Sequence, residues 1–265
     1  MNVFLSSVSQ DLLRGEGARD SATSAIEKGR TLARPYLDDA FFQVDRVEIQ
    51  VQFVPGYFAA ERPKKPIRRS VAGLALSPHC IRLFLDPDRP HCQTPAGLRE
   101  VTSATVHELH HARFLVGHEP PRTLGFYLMS EGGAQAFQVM LGFDVPPNAL
   151  ALDASALAAF AGRARRKLDD CLCRDDYIDW FQGREGDSAF PVWGGYSLGY
   201  AIVRAGLAAR RVRTAAALSK AFPTGLIEAF RRNELGPPAQ LFDLAVRCDT
   251  QRVRARGDSF CLLHD

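Results

Sequence analysis

Within Val106-His107-Glu108-Leu109-His110-His111, two histidines stand four residues apart with a glutamate directly after the first. On a helix, residues at i and i+4 lie one above the other on the same face, so the two imidazoles can converge on one cation. The glutamate points towards the same side, where a carboxylate can take a proton from water. Two neutral nitrogen ligands and one base are what zinc-assisted hydrolysis requires. Such a site also needs a third protein ligand, with the fourth position kept for water.

Two candidates for that ligand lie downstream. His118 falls seven residues after His111. The metzincin pattern wants its third histidine six residues on, with a glycine between; here Gly117 occupies the sixth place and Phe114 stands where the glycine should be. Glu131 fits better. It lies twenty residues after His111, in Leu128-Met129-Ser130-Glu131-Gly132-Gly133-Ala134-Gln135-Ala136-Phe137. The intervening Gly117-His118-Glu119-Pro120-Pro121-Arg122 is rich in helix-stopping residues and should turn the chain back. A helix from about Thr123 to Leu141 would then pack antiparallel on the motif helix, Leu98 to Val116, and bring Glu131 into range of the histidines. Gly132, Gly133 and Ala134 would let these two helices approach closely.

A glutamate on the helix after HExxH resembles the gluzincin class of zinc metallopeptidases. More narrowly, HELHH, SEGGAQAF and the later GGYSLGYAIV, spread over about Gly73 to Val203, look like a bacterial family described as predicted zinc-dependent proteases. The resemblance implies a zincin-like fold, Zn2+ bound by His107, His111 and Glu131, Glu108 as general base, and a peptide or protein substrate. It favours Tyr196, in Trp193-Gly194-Gly195-Tyr196, as a donor to the oxyanion formed during attack. The plain reading of Tyr196 is a core tyrosine. In zincins the strand before the motif helix is the edge against which an extended substrate pairs; here that would be Ile81 to Leu85 or its neighbour Val71 to Leu76. Two positions depart from the pattern. Gly133 stands where relatives carry a larger apolar residue, and Gln135 stands where many gluzincins have an aspartate that orients a zinc-bound histidine. No GxMxN-type pattern is present, so nothing suggests capture of a free peptide N-terminus.

The elements that must position these residues read as α+β. Arg46 to Val54 alternates polar and apolar and is the clearest strand. Val71 to Leu76 and Ile81 to Leu85 add two more, and Ala18 to Leu37 reads as a helix. After Pro146-Pro147 helix formers dominate, with helices expected over Ala154 to Cys173, Asp175 to Phe181, Tyr196 to Arg211 and Thr224 to Asn233. The expectation is a small N-terminal sheet packed on the HExxH helix and its partner, then a mainly helical C-terminal half. Residues 1–265 are read as one metallopeptidase-like domain, with the sheet and zinc-binding helices in 1–145 and the helical half in 146–265.

At 265 residues, 46% hydrophobic and 24% charged, the composition is that of an ordinary globular enzyme. A net charge of +3 is too small to argue for nucleic acid, and the basic clusters at 62–69, 163–167 and 210–213 read as solvated faces. The start lacks a basic leader, and no apolar run is long enough to span a bilayer. A cytoplasmic protein with no membrane or nucleic-acid partner is expected. Six cysteines, among them Cys171-Leu172-Cys173, read as thiols in a reducing compartment, the CxC pair on a helix. His110 should point away from the ligand face, and His79 and His91 read as polar surface near turns. Two other functions would use the same residues. One is a non-catalytic, zinc-stabilised binding module, which has no need of Glu108; the other is a zinc hydrolase for a non-peptide amide or ester.

Overall fold

The period-two segments become strands and the period-3.6 segments become helices, in the order α+β predicts. A computed structural model describes residues 3–5, 16–54, 71–86, 94–116, 122–220 and 222–236. Cys92, His91, His118, Cys248, Cys261 and the basic loop 62–69 lie outside them. The chain divides into two compact units, residues 1–119 and 120–265.

The first unit contains β1 (Val3–Leu5), α1 (Glu16–Leu37), β2 (Glu48–Phe53), β3 (Val71–Ser77), β4 (Cys80–Leu85) and α2 (Pro95–Leu115). The sheet order is β1-β2-β4-β3. β1, β2 and β4 run parallel, and β3 pairs antiparallel with β4, Gly73 opposite Leu83. Ile49, Val51 and Phe53 of β2 and Ile81, Leu83 and Leu85 of β4 are buried, so alternation gives the sheet one core face. α2 packs on β3 and β4, and α1 packs on α2. The two helices approach closely at Gly29, where a Cβ would lie 2.8 Å from that of Thr105. Thr102 hydroxyl, 3.0 Å from the Ala25 carbonyl oxygen, bridges the same pair. Buried Arg30 donates to the carbonyl oxygen of Val47 at 2.7 Å, fastening α1 to the entry of β2. The sheet decides between the two candidate edge strands. Ile81–Leu85 lies inside, between β2 and β3, while β3 is an edge among the described residues.

The second unit contains α3 (Leu124–Met140), α4 (Ala154–Ala164), α5 (Arg174–Tyr177), α6 (Gly194–Ala208), α7 (Ala215–Lys220) and α8 (Thr224–Arg231). A π turn, Ile178–Gln182, continues α5. α3 is buried on nearly every side, its polar Ser130, Glu131, Gln135 and Gln138 included, and takes α6 and α7 against it. The α3–α6 contact is backbone on backbone. A Cβ on Gly132 would overlap the carbonyl of Gly199, and one on Gly199 would overlap the carbonyl oxygen of Leu128. Gly132 therefore serves the approach of α6, a partner the sequence reading did not assign to it.

α4 stops at Ala164, nine residues before the expected end at Cys173. The reason is the start of α3, whose first amides have no partner within the helix. The segment after α4 supplies them: Leu124 and Gly125 donate to the carbonyl oxygens of Asp170 (3.0 Å) and Leu168 (2.9 Å). Cys171 consequently sits in a β-bridge with Thr123. Cys173 caps α5, its thiol accepting from the amide of Asp176, so the CxC pair is not helical. Arg163 and Arg165 work within this unit. Arg163 donates to the carbonyl oxygens of Ser188 and Ala189, and Arg165 to the carbonyl oxygen of Phe230 at 3.0 Å. No helix among the described residues is long and apolar enough to cross a membrane.

Candidate metal centre

Thr94 opens α2, its hydroxyl accepting from the amide of Gly97 at 3.1 Å with Pro95 at the first helical position, an ordinary helix start. That start lies earlier than the expected Leu98. Val101, Val106, Leu109, Ala112 and Phe114 are buried and hold the helix in place. His107 and His111 are half-buried on the adjoining face. Their Nε2 atoms lie 2.9 Å apart, with ring centroids 4.6 Å apart and planes at 78°. Two neutral ring nitrogens facing one another repel unless a proton or a cation lies between them. The pair therefore suits a small cation that takes a lone pair from each.

Glu108 is only 6% exposed. It presses against the edge strand, where a Cβ on Gly73 would lie 2.5 Å from Glu108 Oε1 and 2.7 Å from its carboxyl carbon. The residue at position 73 thus decides where this carboxylate sits. His110 is fully buried, in keeping with a face away from the ligands, and His79 is an exposed residue of the β3–β4 turn.

In the second unit Glu131 lies on α3, 9% exposed. Its Oε1 accepts a hydrogen bond from the hydroxyl of Tyr177 at 3.0 Å, and the Tyr177 oxygen lies 3.4 Å from that of Tyr196. Burial pushes the Tyr177 phenol well above its ordinary value, and the neighbouring Glu131 and Tyr196 add to the rise. The phenol keeps its proton at neutral pH and acts as a donor. Its ring is stacked on Phe181 (centroids 4.7 Å apart, 13°) and meets Tyr127 edge-on at 4.9 Å. Phe181 also meets Tyr196 edge-on at 5.4 Å. The Gly194-Gly195 pair makes this packing possible, since a Cβ on Gly195 would lie 2.6 Å from the Phe181 ring and one on Gly194 2.8 Å from that of Phe160. Tyr200, one turn beyond Tyr196, is a fully buried core residue.

Tyr177 is the residue that reading the sequence missed. It stands in Arg174-Asp175-Asp176-Tyr177, where nothing in the local pattern marks it. The structural signal is the π turn that begins directly after it, with Gly183 donating to the carbonyl oxygen of Ile178 at 2.8 Å; such turns recur at functional sites. Gln135, the departure noted one turn after Glu131, is fully buried, and its amide has no hydrogen-bond partner among the described residues. It does not take up the aspartate's orienting role there.

A family model described as "Predicted Zn-dependent protease (DUF2268)" matches residues 42–224 of the chain. That span holds the sheet strands β2 to β4, both histidines, Glu108, Glu131, Tyr177 and Tyr196. No curated protein and no solved structure matches the chain.

Proposed function

We propose that this chain, which belongs to the family of predicted Zn-dependent proteases (DUF2268), hydrolyses peptide bonds, with His107, His111 and Glu131 as zinc ligands and Glu108 as general base. The observation that carries this reading is the pair of imidazole Nε2 atoms 2.9 Å apart on α2. The donor set supports it chemically: two imidazoles and one carboxylate are a ligand set of catalytic zinc. Zinc, when bound, would supply Lewis acidity, lowering the pKa of a coordinated water towards about 7 and polarising the scissile carbonyl.

The chain's own residues do the rest. Glu108, seated on β3, takes the proton of the attacking water and returns it to the leaving amine. The Tyr196 hydroxyl donates to the oxyanion as it forms. The edge of β3, which no strand among the described residues covers, pairs with an extended peptide backbone, which gives affinity without strict sequence demand. Its position beside Glu108 supports that role, since the strand that would bind the substrate is the one that seats the base. A cytoplasmic setting belongs to the same proposal, and free thiols at Cys80, Cys171 and Cys173 support it.

The test is cleavage of a diverse peptide library by the zinc-loaded protein beside its Glu108→Gln variant. Glu108→Gln should retain zinc and lose about 10²- to 10⁴-fold in turnover, the range for a missing general base. Bound zinc without cleavage by the unaltered protein would overturn the peptidase reading in favour of a metal-stabilised binding module. Equal cleavage by both proteins would remove Glu108 from the mechanism.

A further inference from the structure

We infer that Tyr177 is a positioning residue that fixes the carboxylate of Glu131 for metal binding and ties it to the Tyr196 hydroxyl. The inference rests on Glu131 being a zinc ligand, as proposed above. A glutamate carries several rotatable bonds, and immobilising such a side chain has a large entropic cost. Tyr177 pre-sets it, because the hydroxyl that donates to Oε1 at 3.0 Å is itself immobile. Phe181 stacks on one face of its ring, Tyr127 meets it edge-on, and the π turn anchors its backbone. Partners of this kind orient metal ligands, and their removal typically costs 10- to 100-fold in metal affinity.

The same geometry sets the direction of the hydrogen-bond chain. A phenol has one proton. With the Tyr177 proton given to Glu131, only Tyr196 can donate across the 3.4 Å between the two hydroxyls. The chain runs from Tyr196 through Tyr177 to Glu131. The long first contact, at 3.4 Å, is weak enough for Tyr196 to give up when an oxyanion offers a better acceptor. Tyr177, whose bond is shorter and whose acceptor is charged, stays with the ligand. The two tyrosines therefore divide the work: one holds the ligand, the other serves the substrate.

The experiment is a zinc competition titration against a chromophoric chelator, run on metal-free protein carrying Tyr177→Phe, Tyr196→Phe or Glu131→Gln. Phenylalanine keeps the ring and its contacts with Phe181 and Tyr127, so the first variant removes the hydroxyl alone. Tyr177→Phe should bind zinc about 10- to 100-fold more weakly. Tyr196→Phe should bind zinc with unaltered affinity. Glu131→Gln should lose the most. Unaltered affinity in Tyr177→Phe with a loss in Glu131→Gln overturns the positioning role and leaves the ligand assignment standing. Unaltered affinity in Glu131→Gln overturns the ligand assignment itself. Far-ultraviolet circular dichroism of the metal-free variants checks the fold. If Tyr177→Phe does not fold, 4-fluorophenylalanine placed at 177, which fills the hydroxyl's space but has no proton to give, should weaken zinc binding in the same way, and unchanged affinity would overturn the inference.

Discussion

On α2, His107, Glu108 and His111 stand within two turns of one helix, and helix geometry alone sets how they relate. Around Glu131 the groups come from α3, the end of α5 and the start of α6, and only tertiary packing relates them. The first arrangement survives as long as α2 stays helical. The second depends on two backbones that touch at Gly132 and Gly199, and on aromatic rings that accept a glycine pair at the head of α6. The first half of the proposed ligand set is robust to changes elsewhere in the fold, and the second is fragile. Substitutions far from any ligand should expose that difference.

The largest effect should come from Gly132→Ala. The added methyl would overlap the Gly199 carbonyl, and neither backbone can yield without moving α3 or α6. A loss of about 3 kcal/mol or more in urea unfolding is expected, at the upper end for overpacking, and zinc binding should weaken with it. Gly162→Ala on α4, where a Cβ meets nothing within 4 Å, is the control. It should be neutral or gain up to about 1 kcal/mol from helix propensity. Similar unfolding midpoints for the two variants would mean the α3–α6 contact is looser than the structure makes it.

The first half has one tertiary dependence of its own. Gly73→Ala puts a methyl where the Glu108 carboxyl sits. That side chain can swing aside, so stability should change little while the base is displaced. Turnover should fall about 10²-fold, the effect of misplacing a reacting group by roughly 1 Å. Zinc affinity should hold, since both histidines are untouched. A parallel loss of zinc would show that β3 supports the histidines as well as the glutamate.

This contrast also explains how far the sequence could be read. The strand alternation of residues 46–54 and the helical HExxH are local patterns, and a strand over 48–53 and a helix formed there, α2 starting at Pro95 rather than the expected Leu98. The start of α3 near Thr123 was legible because Gly117 to Arg122 is rich in helix-stopping residues. Tyr177 was not, because its partner lies 46 positions away and its own neighbours are acidic surface residues. The early end of α4 was hidden for the same reason. Alanine and arginine favour helix through residue 166 and no Gly or Pro stops it before 173, but the amides of Leu124 and Gly125 need acceptors that only a broken helix can offer. Gly132 was recognised as a close-approach residue but given the wrong neighbour, since spacing shows that a helix face is small without showing what lies against it.

The same distinction predicts how the first unit responds to acid. Arg113, two residues after His111, is buried and forms a two-pronged hydrogen bond with Asp39 in the turn after α1, at 2.6 and 3.2 Å. Burial alone would raise the Asp39 pKa. Hydrogen bonds from Arg113 and the amides of Phe41 and Phe42, with the charge of Arg113, outweigh it and hold the carboxyl below its ordinary value. A carboxyl depressed in the folded state contributes stability above its unfolded pKa, about 3.9, and loses it as pH falls through the folded value. Asp39→Asn should therefore cost about 2 kcal/mol at neutral pH, the scale of a charged hydrogen bond to a buried group. The gap between variant and unaltered protein should close as pH drops below about 4. Unfolding midpoints of metal-free protein across that range would check it, since removing zinc keeps ligand protonation out of the comparison. A gap that stays constant with pH would mean that Asp39 acts through its backbone turn, Oδ1 accepting from Phe41 and Phe42. The end of the motif helix would then be held by local geometry after all.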